Sequence, residues 1–351
     1  MITFYPGPSK VYPEVQHYVN ETFDSGVISA NHRSEAFMKM LEETISGLKS
    51  KLNVPADYEV YFVSSATECW EIIAQSLISE GSLHIYNGAF GEKWMEYTQK
   101  LTGSARSLPF ELNEESEIGK VTSSANEVIC LTHNETSNGT VISDQVLNAL
   151  RARTDNIIAI DATSSMAGVV LPWESCDVWY GSVQKCFGLP AGMGVMIVSP
   201  KAVARAIEIG ENAHYNSLLF IRDNFIKFQT PYTPNTLGIY LLGKVMQQVA
   251  SIREVSDETK KRAAEWYSFL ADNGYQALVQ NEAVRSDTVI AVRETRERIA
   301  ELKKAAKQAG IVLGNGYGKE KETSFRIANF PAITQDEIDI LKQFLVSMTS
   351  Q

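Results

Sequence analysis

The chain has 351 residues, more than one hydrophobic core usually supports, so a large domain accompanied by a smaller one is expected. Its net charge of −10 argues against a surface for nucleic acid or an anionic membrane, although a local cluster of cations can still bind a small anion. The first residues show no basic region followed by an apolar one, so no secretory signal is expected, and no apolar run approaches the roughly 20 residues that a membrane span needs. The 4 cysteines form no CxxC pair, which fits reduced thiols in a cytoplasmic protein.

Prolines and the spacing of apolar residues predict the elements of the chain up to residue 199. Residues 1–14 form an extended arm in this prediction, because their prolines disfavour a regular helix, and apolar residues at helical spacing predict a helix over 35–52. Short β-rich runs and helical stretches then alternate. The predicted strands cover 59–65, 82–88, 127–134, 156–162, 177–183 and 192–199. The predicted helices between them cover 68–79, 91–101 and 143–153.

This alternation predicts an α/β fold, in which a mostly parallel, doubly wound sheet forms the large domain. A helix is predicted from about 235 to 272, and it leads out of this layer. The elements that follow predict a small C-terminal α+β domain: strand 287–293, helix 294–309, strand 324–330 and helix 334–348. We therefore expect three parts, namely an N-terminal arm over 1–14, a large domain over 15–245 and a small domain over 246–351.

Polar residues gather where the predicted strands end, which is where ligands of such sheets bind. Asp161 closes one strand, Gln184 and Lys185 follow another, and residues 134–136 follow a third. The turn at 64–67 opens a helix, so its hydroxyls and free backbone N–H groups suit an anion, although a simple helix cap explains the same residues.

Lys185 and Asp161 together suggest a pyridoxal-5′-phosphate (PLP) site. A lone lysine in a loop is usually solvated, but one placed behind a buried strand loses proton affinity and becomes a nucleophile. PLP also needs a carboxylate at its pyridine nitrogen, which keeps the ring an electron sink. A turn for the phosphate, a carboxylate and a lysine occur here in that order, a combination that chance rarely produces.

Two segments around these residues resemble a known family. AIDATSSMAG and DVWYGSVQKCFGLPAGMGVMIVS closely resemble the lysine region of class V aminotransferases of PLP fold type I, and the resemblance covers nearly the whole chain. It implies a homodimeric aminotransferase with shared active sites, in which Lys185 holds PLP as a Schiff base and is the catalytic residue. The cofactor-binding residues that the resemblance implies are Ala66, Thr67, Phe90, Thr136, Asp161, Gln184, Lys185 and Thr233.

The resemblance also implies a role for several of these side chains. Thr136 in THNETSNGT matches the threonine that contacts the phenolic oxygen of the cofactor, and Phe90 in NGAFGEKW matches the ring that stacks on it, often a tryptophan. Ala66, Thr67 and Gln184 would bind the phosphate. Thr233 in TPYTPNT would reach that phosphate across the dimer interface.

Within the class, FYPGPSKVYPEV and ISANHRSEAF look like the phosphoserine aminotransferase family, which implies transfer between O-phosphoserine and 2-oxoglutarate in serine biosynthesis. His32, Arg33 and Arg326 would then bind the substrate, Arg326 gripping its α-carboxylate, since a guanidinium holds a carboxylate bidentately. Taken singly, either arginine is more often a surface ion pair.

Two departures weaken the case for a phosphorylated substrate. Many members of that family carry a second His-Arg pair before the carboxylate-binding arginine. This chain has NGYGKEKETSFR there, so Lys319 or Lys321 would have to serve. Tyr232 also replaces the asparagine usual before the cross-subunit threonine.

Other functions remain open or are disfavoured. An alanine–glyoxylate or serine–pyruvate type aminotransferase has a similar lysine region, so that motif cannot separate the two. A cysteine desulfurase needs a late nucleophilic cysteine, whereas no cysteine follows Cys186. A nicotinamide dehydrogenase is disfavoured because no GxGxxG follows any strand, and a non-catalytic relative is disfavoured because Lys185 and Asp161 are both kept. The histidines show no metal-binding spacing.

Overall fold

The computed structural model describes residues 1–114, 118 and 121–349. The strands are β1 (Ile2–Phe4), β2 (Glu59–Val63), β3 (Ser82–Tyr86), β4 (Ala105–Pro109), β5 (Val128–Thr132), β6 (Asn134–Glu135), β7 (Thr140–Val141), β8 (Ile158–Asp161), β9 (Val178–Ser182), β10 (Gly194–Val198), β11 (Gln276–Ala277), β12 (Val289–Arg293), β13 (Ile311–Asn315) and β14 (Ser324–Ala328).

The α-helices are α1 (Val15–Asp24), α2 (Glu35–Leu52), α3 (Ala66–Ser76), α4 (Ala89–Thr102), α5 (Asp144–Arg151), α6 (Pro200–Ile209), α7 (Leu218–Phe225), α8 (Thr236–Gln248), α9 (Ile252–Asp272), α10 (Arg296–Gln308) and α11 (Gln335–Thr349). Short 3-10 helices cover Val27–Ser29, Trp173–Ser175, Glu282–Val284 and Gly318–Glu320. No helix in the described ranges combines the length and apolar character that crossing a bilayer requires.

A seven-stranded sheet forms the centre of the larger layer, in the order β2-β10-β9-β8-β5-β3-β4. Only β10 runs antiparallel to its neighbours β2 and β9 among these pairings, so the sheet is mostly parallel. Its central strands are buried along their whole length, which explains their continuous apolar sequence. The predicted α/β fold with a mostly parallel sheet is confirmed.

A second sheet, of five strands in the order β1-β13-β14-β12-β11, carries its own hydrophobic core around Phe4, Trp266 and Phe325. β1 comes from the N-terminal arm and pairs in parallel with β13. Sequence patterning missed both strands, because β1 has only three residues and β13 ends in Gly314 and Asn315. The arm therefore belongs partly to the C-terminal sheet.

The predicted continuous helix from 235 to 272 is wrong: α8 ends at Gln248 and α9 begins at Ile252. Ser251 caps α9, because its hydroxyl accepts a hydrogen bond from the backbone N–H of Glu254, while the Glu254 carboxylate accepts one from the backbone N–H of Ser251 (3.0 Å). This reciprocal pair is a capping box. The spacing Ser-x-x-Glu was present in the sequence, but the uninterrupted apolar pattern on either side concealed it.

Candidate active site

The polar residues singled out in the sequence lie at one edge of the large sheet. Asp161 is the last residue of β8, Lys185 lies in the turn after β9, and Thr136 lies in the turn between β6 and β7. The carboxyl ends of β5, β8 and β9 meet there because these strands are parallel neighbours. Such an edge is the usual ligand site of an open α/β sheet.

Lys185 is buried, with 7% of its surface exposed, and its Nζ donates a hydrogen bond to the backbone carbonyl of Pro6. Gly7 lies directly over the side chain, since a β-carbon at Gly7 would sit 2.6 Å from Lys185 Cε. Burial, followed by the positive charge of Arg326, lowers the pKa of Lys185 to about 8. The amine is therefore far more often neutral near pH 7 than that of a solvated lysine.

Asp161 is a buried carboxylate with few hydrogen bonds. Burial raises the pKa of Asp161 to about 6, and hydrogen bonds from Thr163 oppose this effect. The backbone N–H of Thr163 donates to Asp161 Oδ1 at 2.9 Å. A cationic group placed against this carboxylate would lower its pKa again, so the site favours a bound cation.

Arg326 projects from β14 into the same region and is only 3% exposed. Its Nη1 donates to the Thr136 carbonyl (2.6 Å) and its Nε to the Asn315 carbonyl (2.6 Å). These partners are neutral, and Arg326 forms no ion pair with a carboxylate in the described part of the chain. Burial lowers the pKa of Arg326, although an arginine stays charged at neutral pH. A buried guanidinium of this kind favours a carboxylate ligand.

The N-terminus of α3 presents unpaired backbone N–H groups. Ser65 caps the helix by accepting from the Glu68 N–H (3.1 Å), and the Glu68 carboxylate accepts from the N–H and hydroxyl of Ser64 (2.7 and 2.6 Å). In the described ranges the N–H groups of Ala66 and Thr67 have no acceptor, as expected for the first turn of a helix. Such a terminus suits an anion.

Phe90 lies in the first turn of α4 and stacks on Tyr317, with ring centres 5.1 Å apart and planes 10° apart. The loop that contains Thr136 holds the start of this helix. Ser137 Oγ accepts from the Ala89 N–H (3.0 Å), and Glu135 Oε2 accepts from the Gly91 N–H (3.2 Å). These contacts were not predicted from the sequence. The one indication was that the helix begins after Gly88, which has no side chain to cap it, so the caps have to come from another segment.

The remaining predicted residues lie outside this group of contacts. Arg33 is exposed and its Nη1 donates to Gln229 Oε1 (2.5 Å), while His32 is half-buried beside it. Thr233 is exposed in the loop before α8, and the backbone carbonyl of Gln184 accepts from the Ser9 N–H (3.0 Å). The structure does not bring His32, Arg33 or Thr233 into contact with Lys185 of the same chain.

Comparison with known proteins defines the class. Residues 5–340 match the family described as Aminotransferase class-V. The chain therefore belongs to the class-V aminotransferases, and the predicted family and enzyme class are confirmed.

Individual relatives narrow the similarity. The chain is 27% identical to the phosphoserine aminotransferase of Rhodococcus opacus (strain B4), over 98% of this chain and 94% of the relative. It is 27% identical to that of Corynebacterium glutamicum (strain R), over 95% of this chain and 91% of the relative. The crystal structure of a phosphoserine aminotransferase from Cytophaga hutchinsonii superposes with a TM-score of 0.93 at 32% identity, covering 99% of this chain and 98% of that one.

Proposed function

We propose that this aminotransferase uses PLP to move an amino group between O-phosphoserine and 2-oxoglutarate, the reaction of serine biosynthesis. The observation that carries the proposal is the convergence of a buried lysine, a buried carboxylate and a buried arginine beside a free helix N-terminus. The relatives named phosphoserine aminotransferase, similar over nearly their whole length, support the choice of substrate. We also infer a cytoplasmic homodimer, in keeping with four buried free cysteines.

The donor set fits each chemical feature of PLP. Lys185 offers a primary amine of lowered pKa for the aldehyde, and Asp161 offers a carboxylate for the protonated pyridine nitrogen. The free N–H groups of Ala66 and Thr67 would hold the phosphate, assisted by Gln184. Thr136 would contact the phenolic oxygen, and Phe90 would pack on the ring. When bound, PLP supplies an electron sink for the charge that develops at the substrate Cα.

Arg326, Lys185 and Asp161 then have separate roles in the transfer of the amino group. Arg326 binds the substrate α-carboxylate and so orients the Cα–H bond towards Lys185. The Lys185 amine accepts the Cα proton and later returns a proton, and a pKa of about 8 suits both roles near neutral pH. Asp161 holds its negative charge when paired with a cation, and the arm lies over Lys185 and keeps its amine away from water.

Three predicted residues fit a role from the neighbouring subunit. Thr233, His32 and Arg33 lie on exposed or half-buried loops, as expected of groups that complete the active site of a second copy. We infer that Thr233 reaches the phosphate of the cofactor there. His32 and Arg33 would bind the anionic end of the substrate.

The rate of PLP uptake by the cofactor-free protein should depend on pH through Lys185. Because only the neutral amine attacks an aldehyde, the rate should fall about tenfold per pH unit below a pKa of about 8 and level off above it. Free Nα-acetyl-lysine, whose amine keeps its ordinary pKa near 10.4, is the control for titration of PLP itself. Stopped-flow absorbance measures both, and a protein profile that levels off only above about pH 10 would contradict the lowered pKa.

The proposed substrate is tested by a comparison of amino donors. Purified protein loaded with PLP is mixed with O-phosphoserine, alanine or serine, each with 2-oxoglutarate as acceptor, and glutamate formation is measured. We expect kcat/KM for O-phosphoserine to exceed that for alanine and serine by at least about 100-fold. Groups that bind the phosphate are left without a partner when the substrate lacks it, and discrimination of this size follows.

Alanine and glyoxylate provide the contrasting pair. Preference for alanine as donor and glyoxylate as acceptor would replace the proposed substrate with that of an alanine–glyoxylate aminotransferase. Such a result would leave the fold, the family and the proposed role of Lys185 unchanged.

A further inference from the structure

Three cations surround Tyr317 and Asn315 beside the proposed carboxylate site. Lys93 Nζ lies 4.8 Å from the centre of the Tyr317 ring and donates to its hydroxyl (2.6 Å), and Arg326 Cζ lies 5.6 Å from the same centre. Lys303 Nζ donates to the side-chain oxygen of Asn315, whose backbone carbonyl accepts from Arg326. The three positive charges are thus linked through two neutral residues.

None of these cations forms an ion pair with a carboxylate within the described ranges. Glu92, Glu96 and Glu322 line the adjoining cleft. Glu322 pairs with Arg296, and within the described ranges no ion pair joins any of the three carboxylates to Lys93, Lys303 or Arg326. Burial and the charge of Arg326 both lower the pKa of Lys303, as expected where like charges lie close together. Neighbouring cations without a paired carboxylate raise the free energy of the empty site, and a bound anion offsets their repulsion.

Lys93 and Lys303 line a cleft of about 810 Å³, and Arg326 contacts two residues of its wall, Tyr317 and Asn315. Tyr5, Asn315, Tyr317 and Lys321 also line it, together with the ion pair of Arg296 and Glu322. Lys93 Nζ and Arg326 Cζ lie 4.8 and 5.6 Å from the centre of the Tyr317 ring, so the two atoms are no farther apart than the sum of these distances. A small substrate with an anionic group at each end can bridge such a span. The cleft thus has the place and the charge for a second anionic group of the substrate.

We propose that Lys93 and Lys303 determine specificity by binding the distal phosphate of the substrate, in the place of the missing second His-Arg pair. This inference rests on the proposed function. It also differs from what the sequence suggested: Lys319 and Lys321 are exposed, although Lys321 lines the same cleft, whereas Lys93 and Lys303 are half-buried and linked to Arg326 through Tyr317 and Asn315.

The test replaces each lysine by glutamine, which keeps the length and a hydrogen-bond donor but removes the charge. For Lys93→Gln and Lys303→Gln we expect kcat/KM with O-phosphoserine to fall about 10- to 100-fold, the range for a lost charge-assisted hydrogen bond. With serine, which has no distal anion, kcat/KM should change less than about threefold. Lys93→Arg, which restores the charge, should recover most of the loss with O-phosphoserine.

Lys319→Gln, at an exposed lysine that does not line this cleft, is the matched control and should keep the selectivity of the unaltered protein. The inference is overturned if Lys93→Gln and Lys303→Gln retain the full selectivity for O-phosphoserine, whatever the result for Lys319→Gln. It is also overturned if Lys93→Gln lowers kcat/KM for serine and O-phosphoserine equally. An unaltered protein without preference for O-phosphoserine would instead contradict the proposed function, and this inference would fall with it.

Discussion

Replacing Lys185 by alanine is expected to lower the rate of transamination by at least about 10⁴-fold and to abolish the visible absorption of the bound cofactor. The variant removes the amine proposed to hold PLP and to move the Cα proton. Loss of a nucleophile and loss of a general acid–base each lower a reaction rate strongly. The structure adds a reason why no other group substitutes. The Lys185 amine is buried and donates to the Pro6 carbonyl, so a group that replaced it would have to enter this enclosed place from solvent.

Loss of activity in Lys185→Ala must be separated from loss of folding. Thermal unfolding of the variant should stay close to that of the unaltered protein, because removing a buried amine also removes its desolvation penalty. A small primary amine added to the assay should restore part of the proton transfer. Retained turnover without added amine would contradict the role proposed for Lys185.

Replacing Gly7 by alanine is expected to have the next largest effect. The added β-carbon would lie 2.6 Å from Lys185 Cε, and the φ of +155° at Gly7 is a conformation that residues with a side chain rarely adopt. Either the arm lifts away or the lysine is displaced. We expect kcat to fall on the order of 100-fold, with weaker PLP binding, since small displacements of reacting groups have effects of this size.

Ser9→Ala is the matched control, because Ser9 lies in the same arm and its buried hydroxyl has no partner among the described residues. Its backbone N–H would still donate to the Gln184 carbonyl. Cofactor binding by titration and kcat by steady-state assay should both be nearly unchanged in this control. If Gly7→Ala kept the same PLP binding and kcat as Ser9→Ala, the close contact between the arm and Lys185 would not be needed for activity.

Local sequence was enough to predict those features whose signals are local. The runs around Asp161 and Lys185 are apolar strands followed by polar residues, and parallel pairing of β8 with β9 brings both strand ends to one edge. The resemblance of these segments to the aminotransferase family implied cofactor- and substrate-binding roles for further residues, and those roles remain predictions. The apolar residues around Arg326 likewise predicted that it lies in a strand, which is β14.

Contacts between distant segments could not be predicted in this way. Nothing near Lys185 in the chain indicates that the Pro6 carbonyl would reach it, because that contact depends on β1 joining the C-terminal sheet. The stacking of Phe90 on Tyr317 likewise joins a large-sheet helix to a loop after β13. The cations proposed to bind phosphate were missed for this reason, since contacts with Tyr317 and Asn315, distant in the chain, bring Lys93 and Lys303 to the same cleft.

The attachment site of PLP tests the central claim most directly. Borohydride reduction makes the bond between a lysine and the cofactor permanent, and protease digestion with mass spectrometry then identifies the lysine that carries it. We predict a single modified peptide that contains Lys185, with the same treatment of Lys185→Ala giving none. Modification of a different lysine in the unaltered protein, or of none, would contradict the account.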